Sequence, residues 1–324
     1  MTTPFPAAGR AQRGFTLLEM MVAMTISLFI ISALAAVVFG ASTSNRSRDR
    51  ASDLQVNGRY AIDTIRRDLQ HAGFLGISSL FYPDQPITMS NPPLQPSPIT
   101  VTNVCDSTKV GQMSQRIWGS DDSNPYSATC IPAANYLRGD VLVVRGLDPT
   151  AVTTFGATTV YFKSAYEGGA AFVGSVPASL SDPNMAASNK QPPYVIFPMI
   201  ETVYYIAPFT ASATESPLVP ALWRLRLSSG PAMVPELVAS GVENMQIRFG
   251  VFQTNDTVSY QAAGSIAASD WDLVRSVQIS LLMRTASAEP DYQNNTSYDL
   301  AGTTYTVNDN FPRLAMSAVI QQRN

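Results

Sequence analysis

Residues Arg13–Ala41 read RGFTLLEMMVAMTISLFIISALAAVVFGA, and between Phe15 and Ala41 the only ionisable side chain is Glu19. The run is about 27 residues, roughly 40 Å as a helix, against the roughly 20 residues that a bilayer crossing needs. It therefore predicts a membrane helix. Arg10 and Arg13 adjoin its start and, by the positive-inside rule, hold that end in the cytoplasm; Arg46, Arg48 and Arg50 pull the other way from farther off. Three other readings compete. A secretory signal needs a small-residue cleavage site, which Ala33-Leu34-Ala35 before Ala36 supplies. A plain single-span anchor leaves Glu19 without a reason, because a carboxylate costs on the order of 2 to 3 kcal/mol at the bilayer centre and less near the interface. A soluble core helix fits poorly with so long an unbroken apolar run.

The stretch Arg13-Gly14-Phe15-Thr16-Leu17-Leu18-Glu19 resembles the class III signal of type IV prepilins: a basic leader ending in Gly, then Phe, then Glu as the fifth mature residue. The resemblance implies that a prepilin peptidase cuts between Gly14 and Phe15, that Phe15 is N-methylated, and that the helix is kept. It also implies that Glu19 neutralises the terminal amine of a neighbouring subunit during filament assembly. Electrostatics agrees: cleavage leaves a cation at Phe15, one turn from Glu19, and opposite charges that meet in a low dielectric each lower the other's cost. The residue-level alternative is an interfacial carboxylate that merely complements the helix dipole.

Past the apolar run, Ala51, Leu54, Gly58, Ala61, Ile62, Ile65, Leu69 and Ala72 recur by threes and fours, while charged residues such as Arg59, Asp63 and Arg67 take other faces. A helix from Phe15 to about His71 follows, ending at Gly73, with Gly40, Gly58 and the Ser42–Ser47 stretch as expected places for a bend or local melting. Its last turns, Arg66-Arg67-Asp68-Leu69-Gln70-His71-Ala72-Gly73-Phe74-Leu75-Gly76, are similar to the PilW family of minor pilins and more loosely to the J-type minor pseudopilins of type II secretion.

The rest of the 324-residue chain changes character. Pro83, Pro86, Pro92, Pro93, Pro96 and Pro98 predict an extended loop. Short strands are expected at Val141–Arg145 and Val160–Lys163, a longer one interrupted by Pro198 at Tyr194–Ile206, and another at Ala221–Ser228. Period-two alternation marks Met245–Val251 and Val277–Met283 as half-buried antiparallel strands, with Leu314–Ile320 closing the chain. The stretches around Gly241–Val251, Trp271–Thr285 and the last strand also look like the PilW family.

Cys105 and Cys130 have no companion histidines or second cysteine pair, so zinc ligation is disfavoured; in an exported head their expected state is a disulfide closing a local loop. His71 is the only histidine and fits ordinary dipole compensation at a helix C-terminus. Asp121, Asp122 and Asn124 lack the full spacing of a calcium loop and read as a solvated turn. Tyr204 and Tyr205 read as strand residues. No catalytic set is found, no cofactor or metal is implied, and a net charge of -3 gives no global attraction to nucleic acid.

The expected fold class is α+β of the type IV pilin kind: a long N-terminal helix, half transmembrane and half docked, packed on an antiparallel β-sheet head with long loops. The expected divisions are a leader at 1–14, a transmembrane or filament-core helix at 15–41, its amphipathic continuation at 42–72, and an exported head at 73–324. The resemblance implies a minor pilin of a type IV pilus, or alternatively a J-type minor pseudopilin. Its implied partners are other minor and major pilins, the prepilin peptidase and the inner membrane, with a periplasmic head that later joins the filament or its tip.

Overall fold

The computed structural model describes residues 16–76, 105, 115–165, 168–176, 194–230 and 232–322. Helix α1 spans Leu17–His71, 55 residues. The interruption expected at Gly40, Gly58 or Ser42–Ser47 is not seen, since helix runs through all of them. The chain divides into two compact units, Met1–Ser52 and Asp53–Asn324. In the first, Leu17–Ser42 is long and apolar enough to cross a membrane and none of it is buried. Leu28, Phe29 and Phe39 are among its exposed side chains.

In the second unit the helical stripe buries as its spacing requires. Leu54, Gly58, Ala61, Ile62, Ile65, Leu69 and Ala72 are all covered, and Ala51, expected on the same stripe, is exposed. Gly58 is a packing residue there: a Cβ would fall 3.2 Å from Met283 Cγ and into Met316 Sδ. The helix ends at Gly73, whose φ of +73° is one that side chains rarely adopt. Gly73 N–H then donates to Arg145 O at 2.9 Å and Leu147 N–H to Phe74 O at 3.1 Å, so the chain leaves the helix by pairing with a strand.

Thirteen strands follow among the described residues. Seven form one sheet: β1 (Ile117–Ser120), β2 (Val141–Leu147), β3 (Val160–Ala165), β4 (Gly168–Val173), β5 (Tyr194–Ala207), β6 (Ala221–Ser228) and β7 (Ala232–Ser240). Its order is β1-β2-β5-β3-β4, with β6 on β5 and β7 on β6, all antiparallel. A second sheet has the order β13-β10-β8-β9, from β8 (Val242–Phe252), β9 (Val258–Gln261), β10 (Val274–Arg284) and β13 (Arg313–Gln321). Strands β11 (Ser297–Leu300) and β12 (Thr303–Thr306) form a hairpin within the 285–312 segment between β10 and β13.

Two apolar clusters explain why β2 is buried along its whole length. Leu142 and Val144 join Ile62, Ile65 and Leu69 of the helix and Ile247, Phe249, Ile279 and Leu281 of the second sheet. Val141, Val143 and Leu147 point the other way, to Leu75, Cys105, Tyr126 and Ile131. The large sheet is thus covered on both faces.

Every expected strand is present; β6 keeps its expected bounds, and the others are longer by one to three residues at one or both ends. Pro198 does not interrupt β5: it lies where β5 stops pairing with β3 and begins pairing with β2, a junction at which a missing N–H is tolerated. Strands β8 and β10 are not half-buried, because their polar faces are also covered: Gln246 is 3% exposed and Ser280 0%. The strands at β1, β4, β7, β9, β11 and β12 were not expected. Their segments are short, glycine-rich or, in β7, carry Pro235. The expected loop at Pro83–Pro98 lies outside the described residues.

Candidate functional site

Thr16 and Glu19 build the start of α1. Glu19 Oε2 accepts the Thr16 backbone N–H at 2.9 Å and the Thr16 hydroxyl at 3.0 Å, while Glu19 N–H donates to Thr16 Oγ1 at 3.2 Å. The first helical bond runs from Met20 N–H to Thr16 O at 3.2 Å. This is a reciprocal capping box, which satisfies two of the amide donors a helix start leaves unpaired. Its signature, Thr-x-x-Glu, was present in the sequence, yet Thr16 was not among the expected site residues. Gly14 and Phe15 lie outside the described residues. Beyond the cap the helix offers apolar side chains alone as far as Ala41, with Thr25, Ser27 and Ser32 turning their hydroxyls onto carbonyls of the preceding turn.

At the other end of the helix, Asp68 fixes its docking on the large sheet. Tyr204 O–H donates to Asp68 Oδ2 at 2.5 Å, and Arg224, bonded to Glu236 at 2.8 Å, lies 3.9 Å from the same carboxylate. Tyr204 is therefore a core residue whose hydroxyl meets Asp68 and Arg224. His71 closes the helix, exposed, and its carbonyl lies against Gly146, where a Cβ would fall 2.6 Å from it.

Comparison with known proteins matches both ends of the chain. Residues 9–38 match the family profile of the prokaryotic N-terminal methylation motif. Residues 203–324 match that of type IV pilus-assembly protein W. The chain is similar to PilW-like type IV pilins over these two stretches. Among solved structures, a type IV-like pilin from Thermus thermophilus is similar at 12% identity over 84% of this chain and 94% of its own, with a TM-score of 0.33, too low to argue from. No curated protein matches.

The PilW-like region runs from the second half of β5 through β13; Glu215 within it and Asp140, which bonds to it from outside, are two carboxylates with opposite titration behaviour. Asp140, just before β2, accepts Asp122 N–H at 2.9 Å and Ile247 N–H at 2.6 Å, tying the turn after β1 to β8 of that region. Burial pushes its carboxyl up to about 7 against those two bonds, with Asp121 and Asp122 adding to the rise. Glu215 organises the 209–220 loop by accepting from Thr210 N–H and hydroxyl, Ala211 N–H and Val219 N–H. Desolvation works to raise it, but these donors outweigh that and hold it at about 2.

Asp121, Asp122 and Asn124 do form a turn, as expected, though a bonded one: Gln246 donates to Asp122 Oδ1 at 2.9 Å and Asn124 Nδ2 to Ile131 O at 2.8 Å. Among the described residues no group of three His, Cys, Asp or Glu side chains could hold a metal ion. Cys105 and Cys130 are disulfide-bonded with Cα atoms 4.9 Å apart. The bridge pins residue 105 onto the face of the large sheet away from the helix, beside Tyr126 and Ile131.

Proposed function

We propose that this protein is a minor pilin that helps to initiate or cap a type IV pilus, acting as a non-catalytic subunit. The observation that carries the reading is its N-terminus: Gly14-Phe15 followed by a capping box at Thr16 and Glu19, opening a fully exposed apolar helix. Such a helix is stable only in lipid or packed among similar helices. Cleavage after Gly14 would release an amine at Phe15, and methylation would keep it cationic. Glu19, an acceptor already held in place by Thr16, is the anion that a neighbour's amine would meet; the neighbour must displace, or share the carboxylate with, the Thr16 donors. The PilW-like match over residues 203–324 supports a pilus over a secretion pseudopilus. Other pilins and the prepilin peptidase are the partners of this reading, with the head on the periplasmic side before assembly.

Intact-mass and N-terminal analysis of the membrane fraction tests it, with and without an active prepilin peptidase. The expected mature chain begins at methylated Phe15 only when the peptidase is active. A chain beginning at Met1 or Ala36 in both strains would sink the reading.

A further inference from the structure

Strand β13 is the outermost strand of the second sheet. All nine of its residues pair with β10, and no described strand pairs with its other edge. An open edge presents a row of alternating N–H and C=O groups to any extended chain, and folded proteins ordinarily blunt it with proline, lysine, a bulge or shortness. Among the described residues, the other edges of the two larger sheets are short, kinked or glycine-rich. Strands β1 and β9 have four residues each, β7 carries Pro235 and meets β6 across a register shift, and β4 opens on Gly168-Gly169.

β13 has none of these devices. Its register with β10 is continuous from Arg313 to Gln321. Leu314–Ile320 holds neither a charge nor a proline, and the side chains on its outer face, Ala315, Ser317 and Val319, are small or apolar, with Val319 55% exposed. The inner face is fixed, by Met316 against Gly58 and by Ile320 in the core, so the edge is rigid and does not need ordering before it pairs. The one chemistry complementary to such an edge is another extended backbone, and the uncharged outer face admits a neutral, small or β-branched strand beside it.

We propose that the free edge of β13 docks an extended, uncharged segment of a different filament subunit, added as a fifth strand to the second sheet. The proposal rests on the minor-pilin reading. A second copy of this chain is the less fitting occupant: β13 paired with itself would be an isologous contact that closes on a dimer, whereas a subunit that starts or caps a filament must pass a different surface to the next one.

The test is amide hydrogen exchange on the full-length protein in detergent, purified alone and as the complex obtained on co-expression with the other pilin-type subunits of the same cells. Peptides spanning 313–321 are expected to show alternate amides slowed by about tenfold or more in the complex only. Val319→Lys, and separately Ala315→Lys, are expected to lose the complex while melting like the wild type, and Leu237→Lys on the already blunted β7 is expected to keep it. Exchange at 313–321 unchanged in the complex, protection already present in a self-associated chain, variants that assemble like wild type, or no co-purified subunit would each overturn the proposal. Processing at Phe15 is measured on the same samples. A chain processed there with an unprotected β13 fails on the docking alone, whereas an unprocessed chain fails on the minor-pilin reading.

Discussion

At Glu19 the observed helix cap and the proposed assembly charge fall on one carboxylate, and substitution separates them. Glutamine keeps the reciprocal hydrogen bond of a capping box but carries no charge, whereas alanine loses both. Glu19→Gln is therefore expected to insert and be processed like the wild type yet fail to enter pili, if the charge serves assembly. Glu19→Ala should in addition loosen the helix start, read as fraying of the first turn by exchange in micelles. Pili carrying the Gln variant at wild-type levels would reduce Glu19 to a cap. Asp140 makes a second residue-level prediction, with an unusual sign. Its carboxyl stays protonated in the native state up to about pH 7, while the unfolded chain has released that proton near 3.8. The native state therefore holds the extra proton between those values, and stability falls as pH rises through them, by on the order of 4 kcal/mol or about 10 °C of melting temperature. Glu215 acts oppositely and lower: its contribution is present above about 4.5 and is lost as pH falls toward 2. Thermal melts from pH 2 to 8 should rise and then decline, and Asp140→Asn should flatten the declining limb alone.

Among the elements, the helix was the most legible, because a 3.6-residue stripe and an uncharged run are both local signals. Ala51 was misread as part of the buried stripe, and Gly58 as a place for a bend, although its reason lies 225 residues away in Met283 and farther still in Met316. Gly58→Val is accordingly expected to cost about 1 to 3 kcal/mol through overpacking, measured by denaturant unfolding. The strands that alternate were legible and those that do not were missed: β7 hides behind Pro235, which an edge position tolerates, and β1 is too short to show a period. The burial of Gln246 and Ser280 was illegible because their polar partners, Asp122 and Ser317, come from distant parts of the chain. The disulfide was legible as a pair but not in its purpose. Spanning 25 residues, it should contribute about 3.5 kcal/mol in the chain-entropy view, so Cys105→Ser with Cys130→Ser is expected to lower the melting temperature while leaving the helix docked. Loss of the Gly58 contacts in that variant, seen as faster exchange at 54–65, would show instead that the clasp supports the whole head.

For the molecule as a whole, what the sequence left open is how the head's two sheets and its insertion are locked to one another, and arginines supply much of the answer. Arg313 is 1% exposed and forks between Glu243 on β8, at 2.5 and 3.1 Å, and Asp309 in the insertion, at 2.6 and 2.7 Å. Arg284 lies 4.3 Å over the Phe311 ring, Arg138 contacts Tyr305 by hydroxyl and ring, and Arg248 donates to Ala301 O. Each arginine comes from the sheets or the loop before β2, and each partner from the insertion, so the segment is held on by charge-assisted bonds more than by apolar area. The two carboxylates of the Arg313 fork differ in exposure: Glu243 is 5% exposed at its side chain and Asp309 36%. Removing Arg313 alone leaves the buried Glu243 without its hydrogen-bonding cation and with only the Arg284 charge nearby, whereas Asp309 can rehydrate. Arg313→Met is thus expected to cost about 3 to 5 kcal/mol, and Arg313→Met with Glu243→Leu to recover most of that loss, since both buried charges are then gone. In the double variant the insertion keeps its other arginines, so exchange at 297–306 should quicken less than in the single variant. Additive losses in the two variants would mean that Glu243 is not the stranded charge, and that the insertion is held chiefly by Arg138, Arg248 and Arg284.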